Sequence, residues 1–256
     1  MKTEIKLIAA DLDGTCVRYD PRLEVDPVFV EALAPLLTNG TRWVMNSDRP
    51  VRHMSEIALN LSPKYRPVAL LTRQTHIFLL NESGEYEPHL AWNKAQERLH
   101  RKLWDDIEPF FPSWKRLLED EFIVFDSYVD SEVFAFNVAE DEVEELRERM
   151  REIIAPWPES QVSGNNDWMF VLHSSFSKRK LLAQAARLLK VKPEETLAVG
   201  DGLNDLSMLD GIFTPHVGCP ANSCAEVKKA VRDAGGFLSG KEAAAGSAEV
   251  VRHYCG

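Results

Sequence analysis

Two aspartates lie two positions apart directly after the first apolar segment of the chain, in Asp11-Leu12-Asp13-Gly14-Thr15. Carboxylates at the end of a buried strand are costly to desolvate, so their presence there indicates a chemical role. One carboxylate could attack phosphorus as a nucleophile, while the other protonates the leaving oxygen and then activates water. An ordinary turn at Asp13-Gly14, with Asp11 capping a helix, is the alternative that these residues leave open by themselves.

Three further polar groups follow later in the chain. The hydroxyl of Ser47, in Asn46-Ser47-Asp48-Arg49-Pro50, could donate to a phosphoryl oxygen, and a helix cap is the alternative. Lys178 begins a predicted helix, where a cation opposes the helix dipole unless an anion lies beside it; a solvated lysine cluster is the alternative. Gly200-Asp201-Gly202-Leu203-Asn204-Asp205 offers oxygen ligands that suit Mg²⁺, although its composition also fits a turn.

The four groups complement one another, because together they supply a nucleophile, an acid/base, phosphate donors and metal ligands. In open α/β sheets, active sites lie beyond the carboxyl ends of the strands. We therefore expect acids that are far apart in the chain, Asp11 and Asp201 above all, to converge on a single divalent ion.

The segments around these groups alternate between strand and helix patterns. The nearly continuous apolar run at 6–10 is typical of a strand buried on both faces. Asp26 and Pro27 predict a helix start, and Gly40 predicts its end. Further strands are predicted at 42–45, 196–199 and 216–217, and further helices at 50–61, 178–189, 225–231 and 242–254. This order predicts an α/β fold, with a doubly wound, Rossmann-like parallel sheet.

The middle of the chain lacks this alternation. Strands are predicted there at 122–125, 133–138 and 168–172, and helices at 92–118, with a break near Pro109 and Pro112, and at 140–154. We therefore predict an inserted α+β cap domain over residues 75–173, with residues 1–74 and 174–256 forming the catalytic core. Candidate substrate contacts, most of which could equally be structural, are Arg73, His76, Trp92, Trp104, Trp114, Asn137, Asn166, Trp168 and His173.

Composition excludes several classes of protein. The formal net charge of −10 disfavours nucleic acid and anionic lipid as partners. Four widely spaced cysteines form no C-x-x-C pair, so a zinc site is not expected. No stretch of 18 apolar residues is present, which excludes an ion pump that spans the membrane. We expect a cytoplasmic enzyme, either a monomer or a small homo-oligomer, that binds a small phosphate ester.

The four groups, in this order and spacing, resemble the motifs of the haloacid dehalogenase superfamily of phosphatases. The α+β insert resembles the type IIB cap of Cof-like sugar phosphatases and sucrose-phosphate phosphatases. The resemblance implies that Asp11 is the nucleophile and that Asp13 is the acid/base. It implies phosphate binding by Ser47, Lys178 and Asn204. It further implies Mg²⁺ as the cofactor, with ligands from Asp11, Asp13 through its main-chain carbonyl, Asp201 and Asp205.

Two residues depart from the pattern of this superfamily. Relatives often carry Thr-Gly-Arg where this chain has Ser47-Asp48-Arg49, and often Gly where it has Arg179. We expect Asp48 to cap the following helix, with a contact to a sugar hydroxyl as the alternative. The predicted function is a Mg²⁺-dependent phosphatase that hydrolyses a small phosphorylated metabolite through an aspartyl-phosphate intermediate, and a sugar phosphate is the expected substrate. A phosphomutase or phosphotransferase using the same phospho-aspartate is the first alternative, and a non-catalytic sugar-phosphate-binding module is the second.

Overall fold

The computed structural model of the chain describes residues 4–18, 23–130, 133–164 and 168–256. The strands are β1 (Leu7–Ala10), β2 (Val17–Arg18), β3 (Glu24–Val25), β4 (Arg42–Ser47), β5 (Ala69–Thr72), β6 (His76–Leu80), β7 (Tyr86–Pro88), β8 (Asp126–Val129), β9 (Phe134–Asn137), β10 (Ser160–Gly164), β11 (Trp168–His173), β12 (Thr196–Val199), β13 (His216–Cys219) and β14 (Phe237–Leu238). The helices are α1 (Pro27–Thr38), α2 (Val51–Leu59), α3 (Leu90–Ile107), α4 (Phe111–Glu121), α5 (Val143–Ile154), α6 (Lys178–Leu188), α7 (Leu206–Leu209), α8 (Ala225–Asp233) and α9 (Ala243–Cys255).

The chain forms two compact units. The first comprises the chain up to Asn93 together with Ser177–Gly256, and the second is Lys94–Phe176. Residues 75–93 do not belong to the insert as predicted, because β6 and β7 pair with the large sheet of the first unit. Among the described residues, none of the helices combines the length and the apolar character that crossing a lipid bilayer requires.

The first unit is built on an eight-stranded sheet in the order β14-β13-β12-β1-β4-β5-β6-β7. The strands from β14 to β5 pair in parallel, and β6 and β7 extend the sheet in antiparallel pairing. Alternate residues of β1 belong to different hydrophobic clusters: Ile8 packs with residues of α1, α2 and α9, whereas Leu7 packs with residues of α6, α7 and α8. The sheet is therefore covered on both faces, which confirms the predicted doubly wound α/β fold.

Capping residues fix where the helices near the sheet edge begin. Asp26 accepts a hydrogen bond from the backbone N–H of Val28 at 2.8 Å, directly before Pro27. Ser177 accepts from the backbone N–H of Lys180 at 3.2 Å, so that α6 starts at Lys178 as the sequence predicted. These caps satisfy backbone donors that have no partner within the first helical turn.

The second unit has its own four-stranded antiparallel sheet, in the order β10-β11-β9-β8. Residues of α3, α4 and α5 pack with residues of β9 and β11 in one hydrophobic cluster. The predicted strand at 122–125 is wrong, because the strand in this region is β8 at Asp126–Val129. Strand β10 was not predicted from the sequence. Trp104 and Trp114 belong to the core of this unit, which supports the structural interpretation of both residues.

Candidate active site

The candidate site lies at the carboxyl ends of three neighbouring parallel strands of the first unit. Strand β1 lies between β12 and β4 in the sheet. Asp11 follows β1, Ser47 ends β4, and Asp201 comes two residues after β12. Because parallel strands end at the same edge of a sheet, these three side chains are brought together from distant parts of the chain.

Three buried carboxylates converge at this edge. One carboxylate oxygen from each of Asp11, Asp201 and Asp205 can be chosen so that all three oxygens lie within 4.8 Å of one another. The ammonium group of Lys178 lies 2.7 Å from Oδ1 of Asp11 and 2.6 Å from Oδ1 of Asp205. The side chain of Lys178 is 0% exposed, so this cation is held entirely by protein groups.

Backbone and hydroxyl donors orient the two carboxylates that follow β12. Oδ2 of Asp205 accepts from the backbone N–H groups of Asp201 and Gly202, each at 3.0 Å. Thr15 donates its hydroxyl to Oδ1 of Asp201 at 2.6 Å. A Cβ atom at Gly14, where φ is +70°, would lie 2.2 Å from Oδ2 of Asp201, so only glycine fits this approach.

The electrostatics of the cluster favour a divalent cation. Burial and the neighbouring Asp205 carboxylate raise the pKa of Asp11 well above its ordinary value. The same two causes raise the pKa of Asp201 to about 7. Burial alone would lower the pKa of Lys178, but the carboxylates of Asp11 and Asp205 raise it above its ordinary value. One buried ammonium facing three close carboxylates leaves an excess of negative charge, and an all-oxygen donor set of this kind suits a hard cation such as Mg²⁺.

Asp13 is held separately from this cluster by Arg49. The guanidinium group donates from Nε to Oδ2 and from Nη2 to Oδ1 of Asp13, both at 2.7 Å. The pair is partly open to solvent, with the Asp13 side chain 35% exposed and the Arg49 side chain 24% exposed. A bidentate ion pair of this geometry fixes the orientation of the Asp13 carboxylate.

Asp48 does not cap the following helix, so that expectation is wrong. Helix α2 has Pro50 at its N-cap position and no side-chain cap. The carboxylate of Asp48 instead accepts from Nδ2 of Asn204 at 2.6 Å and from Nε2 of Gln74 at 3.4 Å. The carboxylate of Asp48 is half-buried, and a charge removed from water needs hydrogen-bond donors. These donors come from the β5–β6 turn and from the segment after β12 rather than from the next helix turn.

Ser47 and Asn204, the two remaining predicted phosphate ligands, also lie at this edge. Ser47 is 3% exposed, and its Oγ accepts from the backbone N–H of Arg49 at 3.2 Å. Since this bond uses the oxygen as an acceptor, the hydroxyl proton can still be donated to a ligand. Asn204 directs one amide proton to Asp48, and its Oδ1 is buried without a hydrogen-bond partner.

Two residues of this region were not predicted from the sequence. Gln74 is 4% exposed and lies in the β5–β6 turn. Asn222 follows β13 and contacts both the Asp11–Thr15 loop and Asp201. A polar residue just beyond a predicted strand was the available signal for Asn222, because every such strand end belongs to the same edge.

The other candidate substrate contacts differ in their hydrogen bonds, ring stacking and exposure. Indole Nε1 of Trp92 donates to the backbone carbonyl of Thr75 at 2.8 Å, and Nδ1 of His76 lies 2.8 Å from Oγ1 of Thr75. Trp168 stacks on Tyr128 with ring centroids 5.3 Å apart, and His173 is 8% exposed. Arg73 is exposed in the β5–β6 turn, Asn137 ends β9, and Asn166 lies outside the described residues.

Comparison with known proteins gives a family match and a shared fold. A family model described as haloacid dehalogenase-like hydrolase matches residues 100–232, which is just over half of the chain. No curated protein matches the sequence closely enough to count as a relative.

Several solved structures share the fold along the whole chain. The sucrose-phosphatase of Synechocystis sp. PCC6803, solved with sucrose and phosphate, is 17% identical, with a TM-score of 0.70 over 99% of this chain and 98% of that one. The subclass IIB sugar phosphatase BT4131 is 16% identical, with a TM-score of 0.67 over 97% and 98%. A haloacid dehalogenase-like hydrolase from Bacteroides thetaiotaomicron is 19% identical, with a TM-score of 0.65 over 98% and 99%.

Proposed function

We propose, since this chain belongs to the haloacid dehalogenase-like hydrolase family, that it is a Mg²⁺-dependent phosphatase that acts on a small phosphorylated metabolite through an aspartyl-phosphate intermediate. The family match confirms the resemblance drawn from the four sequence motifs. One observation carries the proposal beyond the family: buried Asp11, Asp201 and Asp205 meet at one point beside a fully buried Lys178. This arrangement supports the roles that we propose, with Asp11 as nucleophile, Lys178 as the cation for the phosphoryl group and the three acids as metal ligands.

The metal site in this proposal is formed by residues of the first unit. Asp11, Asp201 and Asp205 would hold Mg²⁺, together with the main-chain carbonyl of Asp13. The donor set fits the ion, because carboxylate oxygens predominate and the three buried acids are only partly compensated by Lys178. When bound, Mg²⁺ would offset the negative charge of the phosphate and of the nucleophile.

In the proposed first step, a carboxylate oxygen of Asp11 forms a bond to phosphorus while the bond from phosphorus to the ester oxygen breaks. Asp13 gives its proton to the leaving oxygen, so the product alcohol departs neutral. Lys178, whose ammonium group lies 2.7 Å from Asp11, offsets the negative charge on the phosphoryl oxygens while one bond to phosphorus forms and the other breaks. Ser47 donates its hydroxyl to one of these oxygens and holds the group in line.

In the second step, water attacks phosphorus and Asp13 takes its proton. The bond from phosphorus to Asp11 breaks, which releases inorganic phosphate and restores the free carboxylate. The ion pair between Asp13 and Arg49 stabilises the carboxylate form that this second step requires. The first step requires the protonated form, so the ion pair must loosen when the substrate binds.

A sugar phosphate is the substrate class that we propose. The support comes from two structures of the same fold, one described as a sucrose-phosphatase with bound sucrose and phosphate, and the other as a sugar phosphatase. The polar aromatic pair of Tyr128 and Trp168 in the second unit is chemically suited to a sugar ring.

A phosphate-release screen over a library of phosphorylated metabolites tests the proposal. We expect release that depends on Mg²⁺, stops with EDTA, and is abolished by Asp11→Asn. Asp233→Asn, which alters an exposed carboxylate paired with Lys229 in the first unit, is the matched control and should retain full activity. Near-normal turnover by Asp11→Asn would refute the nucleophile assignment. Phosphoryl transfer to a sugar hydroxyl in place of water, stimulated by a sugar bisphosphate, would favour a mutase.

A further inference from the structure

Asn222 joins three segments of the first unit through one side chain. Its Nδ2 donates to the backbone carbonyl of Gly14 at 2.9 Å and lies 3.3 Å from Oδ2 of Asp201. Its Oδ1 accepts from the backbone N–H of Ala243 at 2.6 Å. The partners fix the amide orientation, since a carbonyl oxygen can only accept and a backbone N–H can only donate.

The carboxylate of Asp201 is restrained from several sides by these neighbours. Oδ1 accepts from the hydroxyl of Thr15 at 2.6 Å, and Oδ2 lies 3.3 Å from the amide nitrogen of Asn222. The backbone of Gly14 packs against Oδ2, because a Cβ atom at this position would lie 2.2 Å from that oxygen. Asn222 therefore contacts both the carboxylate and the peptide group that packs against it.

The backbone group that donates to Asn222 lies at a strained position. Ala243, which donates to the Asn222 side chain, has φ of +44°, in the left-handed region that residues other than glycine rarely adopt. Backbone strain of this kind persists where the surrounding contacts over-determine it. Asn222 itself is exposed, so it does not contribute to the hydrophobic core.

We propose that Asn222 is a positioning residue of the metal site. It holds the Asp201 carboxylate and the Gly14 peptide in the arrangement in which a divalent cation binds, and it ties that arrangement to the start of α9. Groups that orient a metal ligand in this way commonly change metal affinity by ten- to a hundredfold when they are removed. The identity of the cation as Mg²⁺ rests on the proposed function; the positioning role rests on the contacts of Asn222.

The test is a calorimetric titration of the metal-free full chain with Mg²⁺ alone, comparing wild type, Asn222→Ala and Asn39→Ala. Asn39 is the matched control, an exposed asparagine of the same unit at the end of α1. We expect Asn222→Ala to raise the Kd for Mg²⁺ about tenfold, with Asn39→Ala within twofold of wild type. The concentration of Mg²⁺ that half-activates phosphate release should rise in parallel, while kcat at saturating Mg²⁺ changes by less than about threefold.

A purely structural role would give a different result. A lower melting temperature of metal-free Asn222→Ala with an unchanged Kd for Mg²⁺ would overturn the inference. If Asn222→Ala does not fold, Asn222→Ser provides the same test. The serine hydroxyl can still accept from the backbone N–H of Ala243, but the side chain is too short to replace the contacts to both Gly14 and Asp201. The same tenfold weakening is then expected, and an unchanged Kd would again overturn the inference.

The outcome separates this inference from the proposed function. Mg²⁺ binding that weakens in Asn222→Ala, in a protein without phosphatase activity, would support the positioning role and contradict the proposed reaction. Phosphatase activity in wild type together with normal Mg²⁺ affinity in Asn222→Ala would contradict the positioning role alone. A wild-type chain that does not bind Mg²⁺ would overturn both.

Discussion

The charge of Lys178 compensates the buried carboxylates that surround it. Its ammonium group lies between the carboxylates of Asp11 and Asp205 and has no exposed surface. Removing one member of a buried ion network leaves the remaining charges uncompensated, which costs more than the network contributes while intact. The stability of the first unit and the chemistry of the site are therefore linked through this single side chain.

We expect Lys178→Met to lower the free energy of unfolding by about 3–5 kcal/mol in EDTA, because two buried carboxylates lose their cation. Mg²⁺ should restore part of that loss, since the ion would bind among the same carboxylates. Urea unfolding with and without Mg²⁺ measures both effects. Lys180→Met, two residues along α6 at an exposed position, is the control and should change little. Equal effects of the two substitutions would contradict the proposed charge balance.

The raised pKa of Asp201 predicts how stability and metal affinity vary with pH. Its pKa is about 7 in the folded protein, against an ordinary value of 3.8, because of burial and the neighbouring Asp205. The unfolded chain loses this proton near pH 4, whereas the folded chain keeps it until near pH 7. In EDTA, the free energy of unfolding should therefore fall as pH rises between these values.

Mg²⁺ binding should show the opposite trend, because the ion binds the deprotonated carboxylates. We expect its affinity to increase as pH rises through about 7, with protons released on binding. Calorimetry in two buffers of different ionisation enthalpy measures this release, and urea unfolding in EDTA measures the stability profile. A flat stability profile between pH 4 and 7, with no proton release, would show that the three acids are not coupled in this way.

Some residues of the site can be predicted from a local sequence pattern, whereas others are identified only in the folded structure. Asp11, Lys178 and Asp201 each follow an apolar segment or begin a helix, so their positions could be read from the sequence. The bond from Asn204 to Asp48 joins residues 156 positions apart, and no local pattern encodes it. For the same reason Asp48 was misassigned to the next helix, which is its neighbour in sequence but not its partner.

The loop after β1 depends on a glycine for a reason that goes beyond conformational freedom. Gly14 has φ of +70°, and a Cβ atom there would lie 2.2 Å from Asp201. Gly235 has nearly the same φ, +71°, but a Cβ atom there would have nothing within 4 Å of it. Alanine would introduce similar backbone strain at both positions, but only at Gly14 would its Cβ atom clash with Asp201.

Gly14→Ala should therefore weaken Mg²⁺ binding by more than about tenfold, because Asp201 must move away from the other ligands. Gly235→Ala should lower the free energy of unfolding by about 1 kcal/mol, the cost of a left-handed residue, and leave Mg²⁺ affinity unchanged. Calorimetric titration and urea unfolding of both variants provide the measurement. Similar Mg²⁺ affinities in the two variants would show that the close approach to Asp201 has no consequence for the site.

The turn between β5 and β6 carries strain on two consecutive residues. Arg73 and Gln74 have φ of 51° and 58°, and the backbone N–H of Thr75 donates to the carbonyl of Thr72 at 3.0 Å. Such a turn favours glycine or asparagine. The turn aims Gln74 towards Asp48, which accounts for its buried position.

We expect Arg73→Gly to raise the free energy of unfolding by about 0.5–1 kcal/mol, because glycine adopts this conformation without strain. Arg73→Ala removes the same exposed side chain and keeps the strain, so it serves as the control and should give no gain. Urea unfolding midpoints compare the three proteins. A gain of equal size in both variants would locate the effect in the arginine side chain rather than in the backbone.

The elements of the first unit could be predicted because their signals are local. Caps at Asp26 and Ser177 and continuous apolar strands mark where the chain begins and ends each element. In the second unit, pairing with a neighbouring strand determines which segments are strands, and such pairing joins residues that are distant in sequence. The apolar run at 122–125 is not a strand, with Ile123 68% exposed and Phe125 66% exposed. The polar segments Asp126–Val129 and Ser160–Gly164 are strands because they pair with β9 and β11.

At the scale of the whole molecule, the two units differ in continuity. The first is assembled from two separate parts of the chain, whereas the second is one continuous segment, Lys94–Phe176. The loss of alternation in the sequence indicated an insert. The predicted start at residue 75 is wrong, because an antiparallel extension of the large sheet by β6 and β7 has the same apolar pattern as a strand pair in an insert.

The second unit has what an independent domain requires, namely a continuous chain and a hydrophobic core of its own. This core includes Trp104, Phe134, Phe136 and Met169, each with at most 1% exposure, and residues of α3, α4 and α5 pack around them. A segment of residues 90–176, which keeps α3 whole, should therefore fold alone, with cooperative thermal unfolding and a dispersed amide NMR spectrum.

Two substitutions within that segment test whether its core is the reason that it folds. Trp104→Ala should lower the free energy of unfolding by about 3–5 kcal/mol, because a fully buried aromatic ring is lost and a cavity remains. Phe125→Ala removes an aromatic ring that is 66% exposed and should have an effect within about 0.5 kcal/mol. A poorly dispersed spectrum for the unaltered segment, or equal effects of the two substitutions, would mean that this core depends on the rest of the chain. The second unit would then depend on the first unit for its order.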